Sequence, residues 1–251
     1  MSQLVSKRRA IRHLLREQDP ADGMAAYYAF YHPDEKTNIV IMPEEGARAD
    51  GYVAVSRTGI DLFRPLVTMR LPVDQGPQGY GASLALLRRT LGPGMPVFLS
   101  VPQRYMPLIR AVFDIQAEEV LRIYALDTRR FEPVINVLVV QSTGANGLPT
   151  YLIQSRQDGE PETVAMASLN WLSPYFGEIA VMTKPEYRRQ GWGQSVVSAM
   201  VQYLLENGRT PLYAVNENNR PSVQLAGNIG FTDSGAREYL LQASIGGVKE
   251  A

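Results

Sequence analysis

The feature that most constrains this sequence is an internal repeat. Gln78-Gly79-Tyr80-Gly81 recurs 112 residues later as Gln190-Gly191-Trp192-Gly193, identical at three positions and aromatic for aromatic at the fourth. Each copy follows a run of β-type residues near a proline and precedes a helix-type run, Ser83–Leu91 and Gln194–Glu206. A shared spacing inside a shared order of elements is the mark of a duplicated unit. Dividing the 251 residues between two units leaves each about the size of a small domain. The natural division is 1–127 and 128–251.

The pattern within each half agrees with that division. After an amphipathic stretch (Ser2–Gln18) and a short aromatic helix (Met24–Tyr31), the first half reads as strands in NIVIM, GYVAVSRTG and PLVTMRLP. A glycine loop (DQGPQGYG), a helix, a strand (Val97–Val101), a helix (Arg104–Phe113) and a strand (Val120–Ala125) complete it. The second half offers strands in VINVLVV, TYLIQS, TVAMASLNW and GEIAVMT. A loop (KPEYRRQGWG), a helix, a strand (Leu212–Val215), a helix (Pro221–Asn228) and tail strands around Arg237–Gln242 follow. Strands in hairpin-like runs mixed with helices predict an α/β (α+β) chain built on a mixed, mostly antiparallel sheet.

Composition removes many chemistries. There is no cysteine, hence no disulfide, thiolate zinc site, iron–sulfur cluster or cysteine nucleophile. His13 and His32 are the only histidines. They read as a solvated helix position and a turn residue, so no histidine metal site is expected. The charges cancel, 25 basic against 25 acidic, and neither half is a polycation. Binding to nucleic acid or to a membrane surface is therefore not expected. The start of the chain has no signal-peptide core, and the longest apolar run, Val134–Val140, is too short to span a bilayer. The reading is a cytoplasmic protein.

One segment carries chemistry. In YRRQGWGQS, Gly191 and Gly193 open the backbone amides at a helix start to an anion, and Arg188 and Arg189 add charge. No Gly-Lys-Ser/Thr follows, so it is not a P-loop, and a third glycine is missing for a dinucleotide fingerprint. VMTKPEYRRQGWGQSVVSAMVQYL resembles the central motif of the GNAT acyltransferase superfamily, Arg/Gln-x-x-Gly-x-Gly/Ala, with Arg188, Gly191 and Gly193 in its positions. NRPSVQLAGNIGF resembles that superfamily's second block, through Asn219, Ser222, Leu225, Gly230 and Phe231. The resemblance runs from about Phe131 to Ala243.

The resemblance implies a GNAT-type sheet flanked by helices, present as two GNAT-like halves. Residues 128–251 would be the catalytic N-acetyltransferase domain and 1–127 a degenerate copy, since Gly76 and Pro77 stand where the second half has Arg188 and Arg189. It also implies acyl transfer from acetyl-CoA, or another acyl-CoA, to a small-molecule amine in a ternary complex without metal. A non-catalytic CoA-binding or sensing module is the alternative. Cofactor contacts would come from Val181, Met182 and Thr183, from Arg188, Arg189, Gln190, Gly191, Trp192, Gly193 and Gln194, and from Asn219 and Ser222. Glu178 is the first candidate for general base and Glu217 the second. Many relatives carry a tyrosine just after the Leu of the second block as proton donor to the thiolate, and this chain has Ala226 there. That leaves Tyr187, Tyr213, Tyr239 or solvent for that role.

Overall fold

In the computed structural model, residues 3–59, 61–157 and 160–246 are described. The chain forms two compact units: residues 1–121 with 237–251, and residues 122–236. The division drawn at 127/128 from the repeat thus lies close to the first crossing, but the last strand residues group with the first unit. Two long strands make these crossings, β5 (Phe113–Leu126) and β11 (Phe231–Ile245).

The first unit opens with α1 (Gln3–Ile11) and α2 (Gly23–Ala26), the latter continuing as a π-helical turn, Tyr27–Tyr31. Three strands follow, β1 (Thr37–Met42), β2 (Gly51–Ser56) and β3 (Leu66–Arg70), then α3 (Gly76–Thr90), β4 (Pro96–Pro102) and α4 (Met106–Val112). Strands β1, β2 and β3 pair antiparallel, β3 and β4 parallel, and β4 pairs antiparallel with β11. Leu86 and Leu87 of α3, with Leu91 just past its end, pack on Val53, Val67, Met69 and Leu99 of the sheet. The other sheet face meets α1 and α2 through Ile39, Ile41, Tyr52 and Ala54.

The second unit repeats that order. Strands β6 (Val140–Thr143), β7 (Pro149–Gln157), β8 (Glu160–Leu172) and β9 (Phe176–Thr183) form an antiparallel run. After α5 (Trp192–Glu206) comes β10 (Thr210–Asn216), parallel to β9, and then α6 (Arg220–Ile229). On its other side β10 neighbours β5. The strand that ends each repeat therefore lies next to the parallel pair of the other one.

Helix α5 shows why this unit holds. Val196, Val197, Met200, Val201 and Leu204 recur at helical spacing and are buried against Val164, Ala167, Leu169 and Ile179. Each such side chain contributes about 1.5–3 kcal/mol on full burial. The helix stops at Asn207-Gly208, where Gly208 takes a left-handed φ of 68° and the Arg209 N–H bonds the Leu204 carbonyl. Gly177 lies under this helix. A Cβ there would come within 2.4 Å of Leu204, so no larger residue fits without displacing the helix.

Two sequence readings change. The apolar run VINVLVV is not a strand: residues 134–139 are irregular, and only Val140 enters β6. The glycine segment DQGPQGYG is not a loop, since α3 begins at Gly76 and takes Gly79 and Gly81 into its first turns.

Candidate functional site

Strands β9 and β10 pair over only three positions, Phe176 with Thr210, Gly177 with Pro211 and Glu178 with Leu212. Both strands then run on, to Thr183 and Asn216, without pairing to each other. Diverging parallel strands leave backbone groups of β9 open to a ligand along Ile179–Thr183. Val181 and Thr183 lie on the α5 side, because Gly177 and Ile179 do and side chains alternate. Met182 points to the opposite face and is exposed.

The loop that follows is built from left-handed residues. Arg189 has φ 63°, the only positive value at a non-glycine residue among those described, and Gly191, the N-cap of α5, has φ 79°. A Cβ on Gly191 would meet nothing within 4 Å, so the space before it is open. The first helical bond runs from Ser195 N–H to Gly191 C=O at 3.0 Å. The amides of Trp192, Gly193 and Gln194 precede it and face outward with the positive end of the helix dipole. Gly193 has a packing reason as well: its Cβ would sit 3.0 Å from Thr183 Oγ1, where α5 meets the end of β9. Gln190 is exposed beside these amides. Arg188 Nε donates to the Thr183 carbonyl at 3.2 Å, and Trp192 stacks on Tyr187 with ring centroids 5.1 Å apart. Tyr187 is buried, and its hydroxyl has no protein partner.

Glu178 sits at the other end of β9, five residues before Thr183, or roughly 16 Å along an extended strand. It is only 6% exposed and faces away from α5. Trp171 Nε1 donates to its Oε2 at 2.6 Å, and Asn170 Nδ2 to its Oε1 at 2.8 Å. A register shift in β8 between Leu169 and Trp171 brings Trp171 opposite Glu178. Glu217 lies apart from Glu178, just past the far end of β10. It is on the surface and pairs with Arg122 at 3.4 Å. The two expected bases are therefore not brought together.

Asn219 and Ser222 stand at the start of α6, where Asn219 Oδ1 accepts the Ser222 N–H at 3.3 Å as a helix cap. Ala226 is fully buried. Tyr213, on β10, packs against Phe231 and interacts with the Ser222 side chain, and burial raises its pKa.

This geometry can be set beside known proteins. A family model described as FR47-like protein matches residues 159–240, which hold the loop, α5 and α6. No curated protein is significantly similar to the chain. Among solved structures, a Drosophila melanogaster protein aligns with a TM-score of 0.64 at 13% identity, over 96% of this chain and 88% of its own. A GCN5-related N-acetyltransferase from Sphaerobacter thermophilus aligns at 0.59 and 12% identity, over 95% and 92%. A tandem GNAT protein from the clavulanic acid biosynthesis pathway aligns at 0.58 and 14% identity, over 98% and 95%. The fold is that of the GNAT superfamily.

The first unit has the same order of elements, but among the described residues its parallel strands do not leave the same opening. Its parallel strands also pair at three positions, Leu66 with Phe98 to Thr68 with Ser100. Beyond them the Leu71 N–H donates to the Tyr105 hydroxyl at 3.0 Å, and that hydroxyl reaches the Leu71 carbonyl at 3.3 Å. Tyr105 holds the N-cap position of α4 that Asn219 holds in α6, but its side chain makes no cap bond and instead spans the gap that the second unit leaves open. Arg70 lies buried beside it, paired with Asp22. Sequence reasoning missed Tyr105, Asn170 and Trp171, because nothing in the spacing ties them to Leu71 or Glu178. Among the described residues no cluster suited to a metal ion occurs, and no helix is long and apolar enough to cross a membrane.

Proposed function

We propose that the protein is an acyl-CoA-dependent N-acyltransferase, moving an acetyl group from acetyl-CoA, or a related acyl group, to a primary amine of a small molecule. The observation that carries this reading is the divergence of β9 from β10 beside a left-handed loop with open space before Gly191. The outward amides of Trp192, Gly193 and Gln194, with Arg188, Arg189 and Gln190, would hold the pyrophosphate. Backbone groups of Val181, Met182 and Thr183 would pair with the pantetheine, whose extended length is comparable to the span from this loop to Glu178. Asn219 and Ser222 would border the cofactor at the start of α6.

When bound, acetyl-CoA supplies the thioester whose C–S bond breaks as the amine nitrogen bonds to the acyl carbon. An amide N–H of β9 aimed at the thioester oxygen stabilises the negative charge that develops there. Glu178 takes the proton that the ammonium must lose before nitrogen has a lone pair. The Trp171 and Asn170 donors hold its carboxylate in place. Glu217, tied to Arg122, remains the second candidate. The reading also keeps the protein in the cytoplasm.

A CoA-binding module without catalysis is the second reading, favoured by Ala226 and by the two side-chain donors already on Glu178. Release of CoA from acetyl-CoA across a panel of primary amines separates the two. Calorimetry should detect acetyl-CoA binding that Gly191→Val abolishes, since a β-branched residue disfavours a φ of 79° and fills the open space. Normal affinity in that variant would exclude the loop as the cradle.

A further inference from the structure

Four of the nine exposed large apolar residues among those described fall within six positions of the second unit: Ile135, Val137, Leu138 and Val140, exposed by 88%, 93%, 53% and 54%. They are held there by specific bonds. The Val134 N–H donates to Ser198 Oγ at 2.8 Å, Asn136 Nδ2 to Ser195 Oγ at 3.1 Å, and the Leu138 N–H to Asn136 Oδ1 at 3.0 Å. The segment leads into β6, which pairs with β7 on one side and has no strand beyond it among the described residues. All four β6 residues are exposed.

Natural edge strands are kept short or blunted by charge, proline or a bulge, because a bare edge recruits other chains. Beyond its short length, this edge has none of these. No charged residue occurs from Pro133 to Ser155, β6 contains no proline, and its register with β7 is unbroken. We propose that β6 and the segment before it form a homodimer interface, in which β6 pairs antiparallel with a second copy of itself about a two-fold axis.

The observations favour a second copy over a different partner. An uncharged surface presents no sign for a counter-charged protein to match, and it complements itself under two-fold symmetry. The chain has zero formal net charge, so two copies do not repel. The four side chains expose on the order of 500 Å² per copy, at the upper end of what a monomer leaves bare. Doubled across the axis, that is roughly 1,000 Å², about the least a biological interface buries, before the backbone pairing of β6 adds to it. The interface would also abut the candidate site, because Ser195 Oγ, the acceptor for Asn136, donates to the Gly191 carbonyl at 3.1 Å. The inference does not depend on acyl transfer.

Sedimentation velocity of the full chain over a concentration series, without ligand, tests it. The expected result is a reversible monomer–dimer equilibrium that Val137→Lys and Val140→Lys each weaken by about tenfold or more, since each buries an unpaired charge. Val137 is almost wholly solvated, so its substitution leaves the monomer's melting temperature unchanged. The chain has no cysteine, which allows single cysteines at 140, 141, 142 and 143 to be oxidised one at a time. At least one should form a disulfide dimer, because antiparallel pairing brings residues near the axis within bonding range. A Gln224→Cys control on α6 should not. A monomer at every concentration, a dimer indifferent to both lysines, or crosslinking at Gln224→Cys alone would overturn the proposal.

Discussion

At the residue scale, Glu178 carries the most chemistry, and its environment sets the terms of any substitution. Its two oxygens accept from two different side chains, Trp171 and Asn170. Glu178→Gln keeps the shape but offers only one acceptor oxygen, so one buried donor faces an amide NH₂. The variant should lose about 1–3 kcal/mol of stability by denaturant unfolding. If Glu178 is the base, turnover should also fall roughly 10²–10⁴-fold near neutral pH while acetyl-CoA affinity is retained. The defect should shrink as pH approaches the pKa of the amine, because more of the amine then arrives deprotonated. A stability loss with unchanged turnover across the pH range would make the carboxylate a structural acceptor and pass the role to Glu217 or water.

At the element scale, the contrast between the two parallel pairs explains why one opening persists and the other is closed. Past Thr68 and Ser100, the first unit fills the face of β3 and β4 with ionisable groups: Arg70 on β3, Asp22 before α2 and Glu238 on β11, with Tyr52 on β2. Glu238 receives the Ser100 hydroxyl, and the hydroxyls of Tyr52 and Thr68 lie buried close to each other. Burial raises the Glu238 pKa above the ordinary 4.5; Asp22 adds to the rise, and Ser100 and Arg70 oppose it. The folded chain therefore keeps this proton to higher pH than the unfolded chain does. The corresponding stability is full below 4.5 and is lost as pH rises from there through the folded pKa. Glu238→Gln should remove that slope, so the variant gains on the parent as pH climbs. Parallel stability curves for the two across this window would show that Glu238 titrates normally.

At the scale of the whole molecule, both units carry the same order of elements, yet they differ before their central helices: Arg188, Arg189 and Gly191 precede α5, whereas α3 starts at Gly76-Pro77. α3 absorbs the glycine segment as helix, and Tyr105 occupies the backbone of Leu71. One equivalent of acetyl-CoA per chain should bind, read by calorimetry on the intact protein. Tyr105→Phe should leave the buried Leu71 N–H unpaired, costing about 1–3 kcal/mol, and should not create a second site, because α3 still supplies no loop. Two equivalent sites in the parent chain would refute the asymmetry.

The sequence by itself determined what is local. Glycines at 191 and 193, the apolar spacing of α5 and the Asn219 cap act through the backbone within a few residues. The strand–loop–helix unit was therefore legible, as were the repeated order of elements and most element positions. The tertiary structure decided what depends on distant partners. VINVLVV reads as a buried strand because its run is apolar, but it lies on the surface, held by the side chains of Ser195 and Ser198 on a helix some sixty positions later. QGYG and QGWG are nearly identical, yet QGYG lies wholly inside α3 while QGWG straddles the left-handed N-cap Gly191 and the first residues of α5, because the two helices start at different points of the repeat, Gly76 and Trp192. The exchange of final strands between the repeats, the seal of Tyr105 on Leu71 and the donors around Glu178 share one cause. Each joins residues brought together only when strands pair and bulge, and no local pattern encodes that register.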